Sequence, residues 1–205
     1  MEFTEVAQKR TSIRQFTEDP IPVEDLKELV RIGGMAPSVN NSQPWKFHVI
    51  TKKQLLNEMA DVVAKKIGSL PENESRISNH IKKQTEWFAT FFKEAPALIA
   101  LTMSNYESVL EKGVSLDHEK INHIRKHPDI QSAGAAVQNI LLAAVDMGYG
   151  ACWMSAPTMA AEKLDDMIQT EKDYETFAFI AVGVPKQHKE PKAKKPVEEI
   201  FKLIE

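Results

Sequence analysis

The 205-residue sequence predicts an α+β domain, layered in the α/β manner, with helices packed around strands that lie inside. Three observations carry this expectation. Segments with helical periodicity alternate with isolated, short apolar strands. One stretch, Gln131 to Ser155, reads as a buried helix feeding a buried strand. The chain is long enough for one domain with a sizeable core, and it has no internal repeat.

Residues 3–10 read as a short helix ending at Lys9-Arg10, followed by a polar turn and by Pro20-Ile21-Pro22. Val23 to Gly33 is amphipathic. Pro22 stands at its start, Glu24 and Asp25 lie in the first turn, and Leu26, Leu29 and Val30 share one face. Gly33-Gly34 closes it, MAPSVNNSQP (35–44) is a loop by composition, and residues 45–51 alternate as a strand. Residues 52–67 keep helical spacing, 68–79 form a polar break, and 81–94 return to helix with Trp87, Phe88, Phe91 and Phe92, aromatics that read as core. Ala97 to Met103 is a continuous apolar strand expected to be covered on both faces.

Residues 104–128 are long, polar and charged, and are expected to form a lid or a partly helical excursion. The stretch from Gln131 then gathers Gln131, Ser132, Gln138, Asn139 and Asp146 onto roughly one third of a helix circumference, so the helix is mostly buried. Gly148 and Gly150 stop it and turn the chain into a strand at Ala151–Met154. A helix over 160–169, a strand over 177–183 and a tail from Pro185 follow.

A net charge of −3 offers no electrostatic reason to expect nucleic acid or a membrane surface as partner, and the only basic run is Lys186 to Lys195. Met1 to Arg10 has no apolar core of a signal peptide, and no apolar stretch approaches the ~20 residues of a bilayer span. The single cysteine, Cys152, lies in an apolar run, which suits packing and a reducing compartment. A soluble, cytoplasmic protein is expected.

Three constellations could carry chemistry. Arg10-Thr11-Ser12-Ile13-Arg14 sets two guanidinium groups around a hydroxyl, a plausible phosphate cradle. In Ala36 to Trp45 two prolines bracket five hydrogen-bonding side chains, able to edge a heteroaromatic ring. At Trp153-Met154-Ser155-Ala156-Pro157 a strand ends and its backbone N–H groups become free to donate.

In this order and spacing, KRTSIRQF (9–16), APSVNNSQPW (36–45), QNILLAAVDMGYGACWMSAP (138–157) and VGVPK (182–186) resemble the FMN-dependent nitroreductase family of NAD(P)H oxidoreductases. The resemblance implies a central, mostly antiparallel mixed sheet flanked by helices, and an intertwined homodimer. Its tail, 186–205, would wrap the partner, and its two sites would be shared between subunits. Arg10, Thr11, Ser12 and Arg14 would hold the FMN phosphate, with Lys192 and Lys194 as a second basic contribution. Each cation beside that group is worth up to ~4 kcal/mol at ~4 Å and an effective dielectric of ~20, before desolvation. Pro37, Ser38 and Asn41 would line the flavin from the partner's side, and Asn40 would face the substrate. Met154 and the backbone of Ser155 and Ala156 would lie at flavin N5.

The implied reaction is ping-pong transfer of hydride from NADH or NADPH to a nitroaromatic, quinone or similar acceptor, the cofactor supplying the redox chemistry. The resemblance leaves open other flavin reactions on this fold, among them dehalogenation, enoate-type reduction and flavin fragmentation, and a non-catalytic flavin-binding module. Gly148-Tyr149-Gly150 lacks the third glycine of a dinucleotide fingerprint, and WMSAP is no nucleophile elbow.

Two departures stand out. Phe88 and Phe91 occupy the places where some relatives carry an Asn and a Lys that hold the flavin pyrimidine edge, so Gln131 and Ser132 become the candidates for that edge. Ala156 stands near a position that is Gly in many relatives. Finally, His123 and His127 are spaced i, i+4, with His118 nearby, as metal ligands can be. The charged surroundings favour a solvated segment, and no metal is expected.

Overall fold

The strand expected to be covered on both faces forms the middle of the sheet. The computed structural model describes residues 1–71, 77–187 and 189–205; part of the polar break at 68–79 lies outside them. In chain order the elements are α1 (Phe3–Lys9), α2 (Val23–Gly34), β1 (Trp45–Ile50), α3 (Lys53–Gly68), α4 (Ser78–Thr90), β2 (Ala97–Ser104), α5 (His118–Ile124), α6 (Pro128–Asp146), β3 (Gly150–Met154), α7 (Ala161–Ile168), β4 (Tyr174–Gly183) and α8 (Val197–Ile200). The sheet order is β1-β2-β4-β3.

Every neighbouring pair is antiparallel. The parallel component expected of a mixed sheet reduces to one isolated bridge, Ser12 to Ala151. Alternation along the two central strands sorts their side chains between two cores. Leu98, Ala100, Phe179 and Ala181 pack with α3, α4 and α7, while Ile99, Leu101, Ile180 and Val182 pack with α2 and α6. The result is three layers, with helices on both sheet faces.

The long helix begins three residues earlier than its apolar pattern suggests. His127 takes a left-handed backbone (φ 56°) and Pro128 occupies the first helical position, where a missing N–H costs nothing. Gln131 and Ser132 therefore lie past the first turn, not at the helix start. β4 likewise starts before Phe177, because the Thr176 hydroxyl bonds to Asp165 of α7 and lets a polar residue sit buried. The helix-borne aromatics divide. Phe91 and Phe92 are core, whereas Trp87 and Phe88 are 50% and 42% exposed, a correction to the expectation that all four are buried.

Residues 104–128 are a folded excursion with a polar interior. Tyr106 donates to Asn122 Oδ1 at 3.1 Å, and Asn122 donates to Asp129 Oδ2 at 2.8 Å. Ser108 caps a turn of 3-10 helix at Val109–Lys112, and Ile121 is fully buried. His118 meets Glu111 at 2.7 Å and lies edge-on to Tyr106. Burial pushes the Tyr106 hydroxyl pKa up. Among the described residues no helix is long and apolar enough to cross a membrane.

Two glycines are required where the chain leaves α6. Gly148 has φ +84°, open to glycine at no cost. A Cβ on Gly150 would stand 2.7 Å from the Ile13 side chain, so only glycine lets residues 11–13 lie against β3. Between them, the Tyr149 hydroxyl donates to Asp25 of α2. That bond, helped by burial, pushes the Tyr149 pKa up to about 12. A pKa raised on folding contributes stability that is present below the unfolded value near 10 and is lost as pH rises toward about 12. Tyr149→Phe should flatten the fall in denaturant midpoint across that alkaline window and lower stability at pH 7 by about 1–2 kcal/mol.

Candidate active site

The segment Arg10–Thr17 is stitched on both sides by backbone bonds. Ile13 N–H donates to Ala151 O (3.0 Å) on β3, Thr17 N–H to Val184 O (2.8 Å), and Lys186 N–H returns to Gln15 O (3.0 Å). An extended chain turns alternate residues the same way, so burying Ile13 leaves Arg10, Ser12 and Arg14 as one set. The last of these bonds brings the basic tail back beside them.

Arg14, Gln15, Trp87, Phe88, Lys189 and Lys192 line a cavity of about 510 Å³, within the size range of small-molecule sites. Arg14 Cζ stands 5.6 Å from the centre of the Phe88 ring, and among the described residues its guanidinium otherwise reaches Ser12 O alone, at 3.5 Å. Among the described residues, Arg10, Arg14, Lys189 and Lys192 enter no ion pair. Beneath this set lies Cys152, 3% exposed. Burial pushes its thiol pKa up, against opposing pulls from Arg14, a hydrogen bond with Ser12, Lys189 and Arg10. The direction of the shift keeps the thiol protonated and inert.

β3 ends beside this cluster. Met154 is buried, Ser155 is exposed, and among the described residues the N–H groups of Ser155 and Ala156 have no acceptor. Ser155 O is held by Thr158 through its N–H at 3.1 Å and its hydroxyl at 2.6 Å. The turn thus fixes its carbonyl and leaves its donors outward.

The loop 36–45 is strained and latched. Asn40, Asn41 and Gln43 have φ of 53°, 52° and 46°, in the left-handed region. Ser38 Oγ accepts from Gln43 N–H at 2.9 Å, and Ser132 Oγ accepts from Val39 N–H at 3.1 Å while donating to Pro128 O at 2.7 Å. Several of the polar side chains that seemed free for a ligand therefore hold the loop itself. Gln131 donates to Lys126 O at 2.8 Å, and Asn40 reaches Glu107 O at 3.4 Å, tying the loop to the 104–128 excursion. Pro37, Asn40 and Asn41 stay exposed. Ser132→Ala removes the latch, and we expect about 1–2 kcal/mol lower stability together with faster amide exchange at Val39.

The candidate residues thus fall into two groups. Arg10, Ser12, Arg14, Lys192, Met154, Ser155 and Ala156 lie along β3 and its flanking segment. Pro37, Ser38, Asn40, Asn41, Gln131 and Ser132 belong to the latched loop and α6, and among the described residues no hydrogen bond, ion pair or ring contact joins the two groups. Thr11 lines a neighbouring cavity of about 390 Å³, with Lys9 and Tyr149, that shares Ile13, Gln187 and Lys189 with the first. Lys194 lines neither.

Lys189 was not singled out by sequence, and Trp87 and Phe88 were expected in the core, Phe88 also at a place where some relatives hold the flavin pyrimidine edge. The basic run contains several lysines, and only the Lys186–Gln15 bond decides which return to Arg14. His123 and His127 lie edge to face with ring centres 5.8 Å apart, and among the described residues no three potential ligands are grouped to hold a metal.

A phosphate-bearing planar cofactor such as FMN fits this arrangement on two counts: unpaired cations converge on one cavity, and free backbone donors stand at the neighbouring strand end. The model of the nitroreductase family matches residues 7–184. The iodotyrosine deiodinase of Thermotoga neapolitana is 27% identical over 199 residues, spanning 96% of this chain and 94% of that protein. A BluB-like flavoprotein from Clostridium difficile 630 superposes with a TM-score of 0.88 at 30% identity, over 100% of both chains. A nitroreductase with bound FMN from Desulfitobacterium hafniense DCB-2 shares the fold, with a TM-score of 0.76 at 19% identity over 100% of this chain and 99% of that one.

Proposed function

Because the chain belongs to the nitroreductase family, an enzyme family of flavin oxidoreductases, we propose that it is an FMN-dependent NAD(P)H oxidoreductase acting on an electron-poor aromatic or quinone acceptor. The observation that carries this reading is that Arg14, Lys189 and Lys192 line one cavity, with Arg10 on the same extended segment as Arg14 and none of the four in an ion pair among the described residues, while β3 ends in the N–H groups of Ser155 and Ala156 that have no acceptor among those residues. A phosphate carrying roughly −2 charges supplies what the cations lack.

Arg10, Ser12, Lys189 and Lys192 bind the phosphate, while Arg14 and the two N–H groups orient the ring. FMN, when bound, supplies the relay of hydride from NADH or NADPH to the acceptor. Cys152 stays protonated and excludes water beneath the site. Asn40 and the excursion at 104–128 bound the space where an acceptor enters.

In this reading the protein is a cytoplasmic homodimer, and the latched loop of one subunit completes the site of the other. Two features support the dimer. Among the described residues β1 has a strand partner on one side only, beside a groove of about 520 Å³ lined by Val23, Leu26, Val30, Phe47 and Val49. The tail carries Val197, Ile200, Phe201, Leu203 and Ile204, all at least 59% exposed. A free strand edge and an extended apolar tail complement one another across a two-fold axis.

A second reading has specific support in the Thermotoga neapolitana deiodinase, similar over nearly the whole chain: the acceptor is a halogenated phenol that loses halide. Anaerobic reduction with NADH and NADPH, followed by nitroaromatic, quinone and halophenol acceptors, tests both. Bleaching of the ~450 nm flavin band with nitroaromatic or quinone turnover is expected. Halide release alone selects the second reading, and protein that binds no FMN overturns both.

A further inference from the structure

Among the described residues, Arg14 is the cation of the cluster that meets an aromatic ring face. Its guanidinium lies over the Phe88 ring. Phe88 is held edge-on by Trp87, ring centres 4.8 Å apart, and Trp87 in turn packs on buried Phe91 at 5.9 Å. This aromatic stack anchors the position of Phe88 in the core although its own ring is 42% exposed. Among the described residues its guanidinium makes one hydrogen bond, to Ser12 O at 3.5 Å, the limit of such contacts, and has no carboxylate partner.

A guanidinium held against an aromatic face is attracted by the ring's quadrupole and keeps its N–H groups free for a second ligand. Lys189 and Lys192 on the cavity wall already supply two positive charges for a phosphate of roughly −2, with Arg10 on the segment that leads to Arg14. Arg14 is therefore available for the ring portion of the cofactor, on the aromatic side of the same cavity.

Building on the cofactor reading above, we propose that Phe88 is a positioning residue: it holds the Arg14 guanidinium at the pyrimidine edge of the flavin and thereby raises the flavin's reduction potential. The charge balance gives the direction. Hydride transfer from NADH or NADPH adds two electrons and one proton to the flavin and leaves oxidised nicotinamide. The net added charge of −1 settles on the pyrimidine ring. A fixed cation there stabilises the reduced form more than the oxidised form, because the reduced form alone carries that charge.

The test is the midpoint potential of the FMN-loaded protein, measured against a reference dye, in wild type, Phe88→Leu, Phe88→Tyr, Arg14→Met and the double variant Phe88→Leu/Arg14→Met. Phe88→Leu keeps an apolar side chain at a half-exposed position, so folding is expected to survive, checked by circular dichroism. We expect about tenfold weaker binding of reduced relative to oxidised FMN, a fall of about 30 mV for a two-electron couple. Phe88→Tyr, which keeps the ring face, retains the wild-type potential. In the Arg14→Met background Phe88→Leu adds nothing, since the effect passes through the guanidinium.

An unchanged potential in Phe88→Leu, or an equal fall with and without Arg14, overturns the proposal while leaving the FMN reading intact. Wild-type protein that retains no FMN overturns both.

Discussion

Arg10→Glu is expected to abolish retention of FMN while leaving the fold unchanged. Arg10 ends α1, and its backbone N–H closes the helix on Val6 O at 3.0 Å, a bond that does not depend on the side chain. Its charge is one of those converging around Cys152. Each cation at ~4 Å from a phosphate contributes up to ~4 kcal/mol at an effective dielectric of ~20, and reversal replaces that attraction with repulsion. Even after solvent screening takes most of it, about 3 kcal/mol remains, or roughly 100-fold in affinity. Fluorescence titration of the apoprotein with FMN measures the loss, and thermal melting checks the fold. Wild-type affinity in the variant would mean that the phosphate lies elsewhere.

Deleting residues 197–205 is expected to convert a dimer into monomers that do not retain flavin. Every side chain of that tail is exposed in the chain described here, so its removal takes nothing from the subunit's own core. Burying its five large apolar side chains against a partner is worth about 1.5–3 kcal/mol each before the costs of association, enough to hold a stable dimer. Light scattering reads the mass and absorbance the bound flavin. A truncated protein that stays dimeric with flavin bound would assign the interface to another surface.

Much of the architecture was legible because it follows from local rules. Ala97–Met103 had to be a central strand, since a continuous apolar run is compatible only with cover on both faces. Val23–Gly34 and Lys53–Gly68 announced themselves by apolar spacing. The start of α6 did not, because His127-Pro128 reads as a break until proline is allowed the first helical position. The excursion at 104–128 looked solvated because several of its buried groups, Ser108 and Asn122 among them, are polar. Only pairing in three dimensions shows that Tyr106, Asn122 and Asp129 satisfy one another.

The candidate site divides in the same way. Arg10, Ser12 and Arg14 stood out in sequence through the family resemblance, since two guanidinium groups around a hydroxyl can equally form a solvated basic turn. Ser38 and Ser132 carried the same polar signal for a different reason, that of holding a left-handed loop in place. Composition cannot separate a hydroxyl that serves its own loop from one that serves a ligand.

By itself, the sequence determined the layered fold, the order of apolar and amphipathic segments along the chain and the free donors after β3, because these depend on neighbours within a few residues. Only the tertiary structure decided which lysines of the tail return to the cradle, that Trp87 and Phe88 stand in the cavity instead of the core, and that Arg14 rests on Phe88. Those contacts join positions more than seventy residues apart, and no periodicity or propensity encodes a distance of that kind.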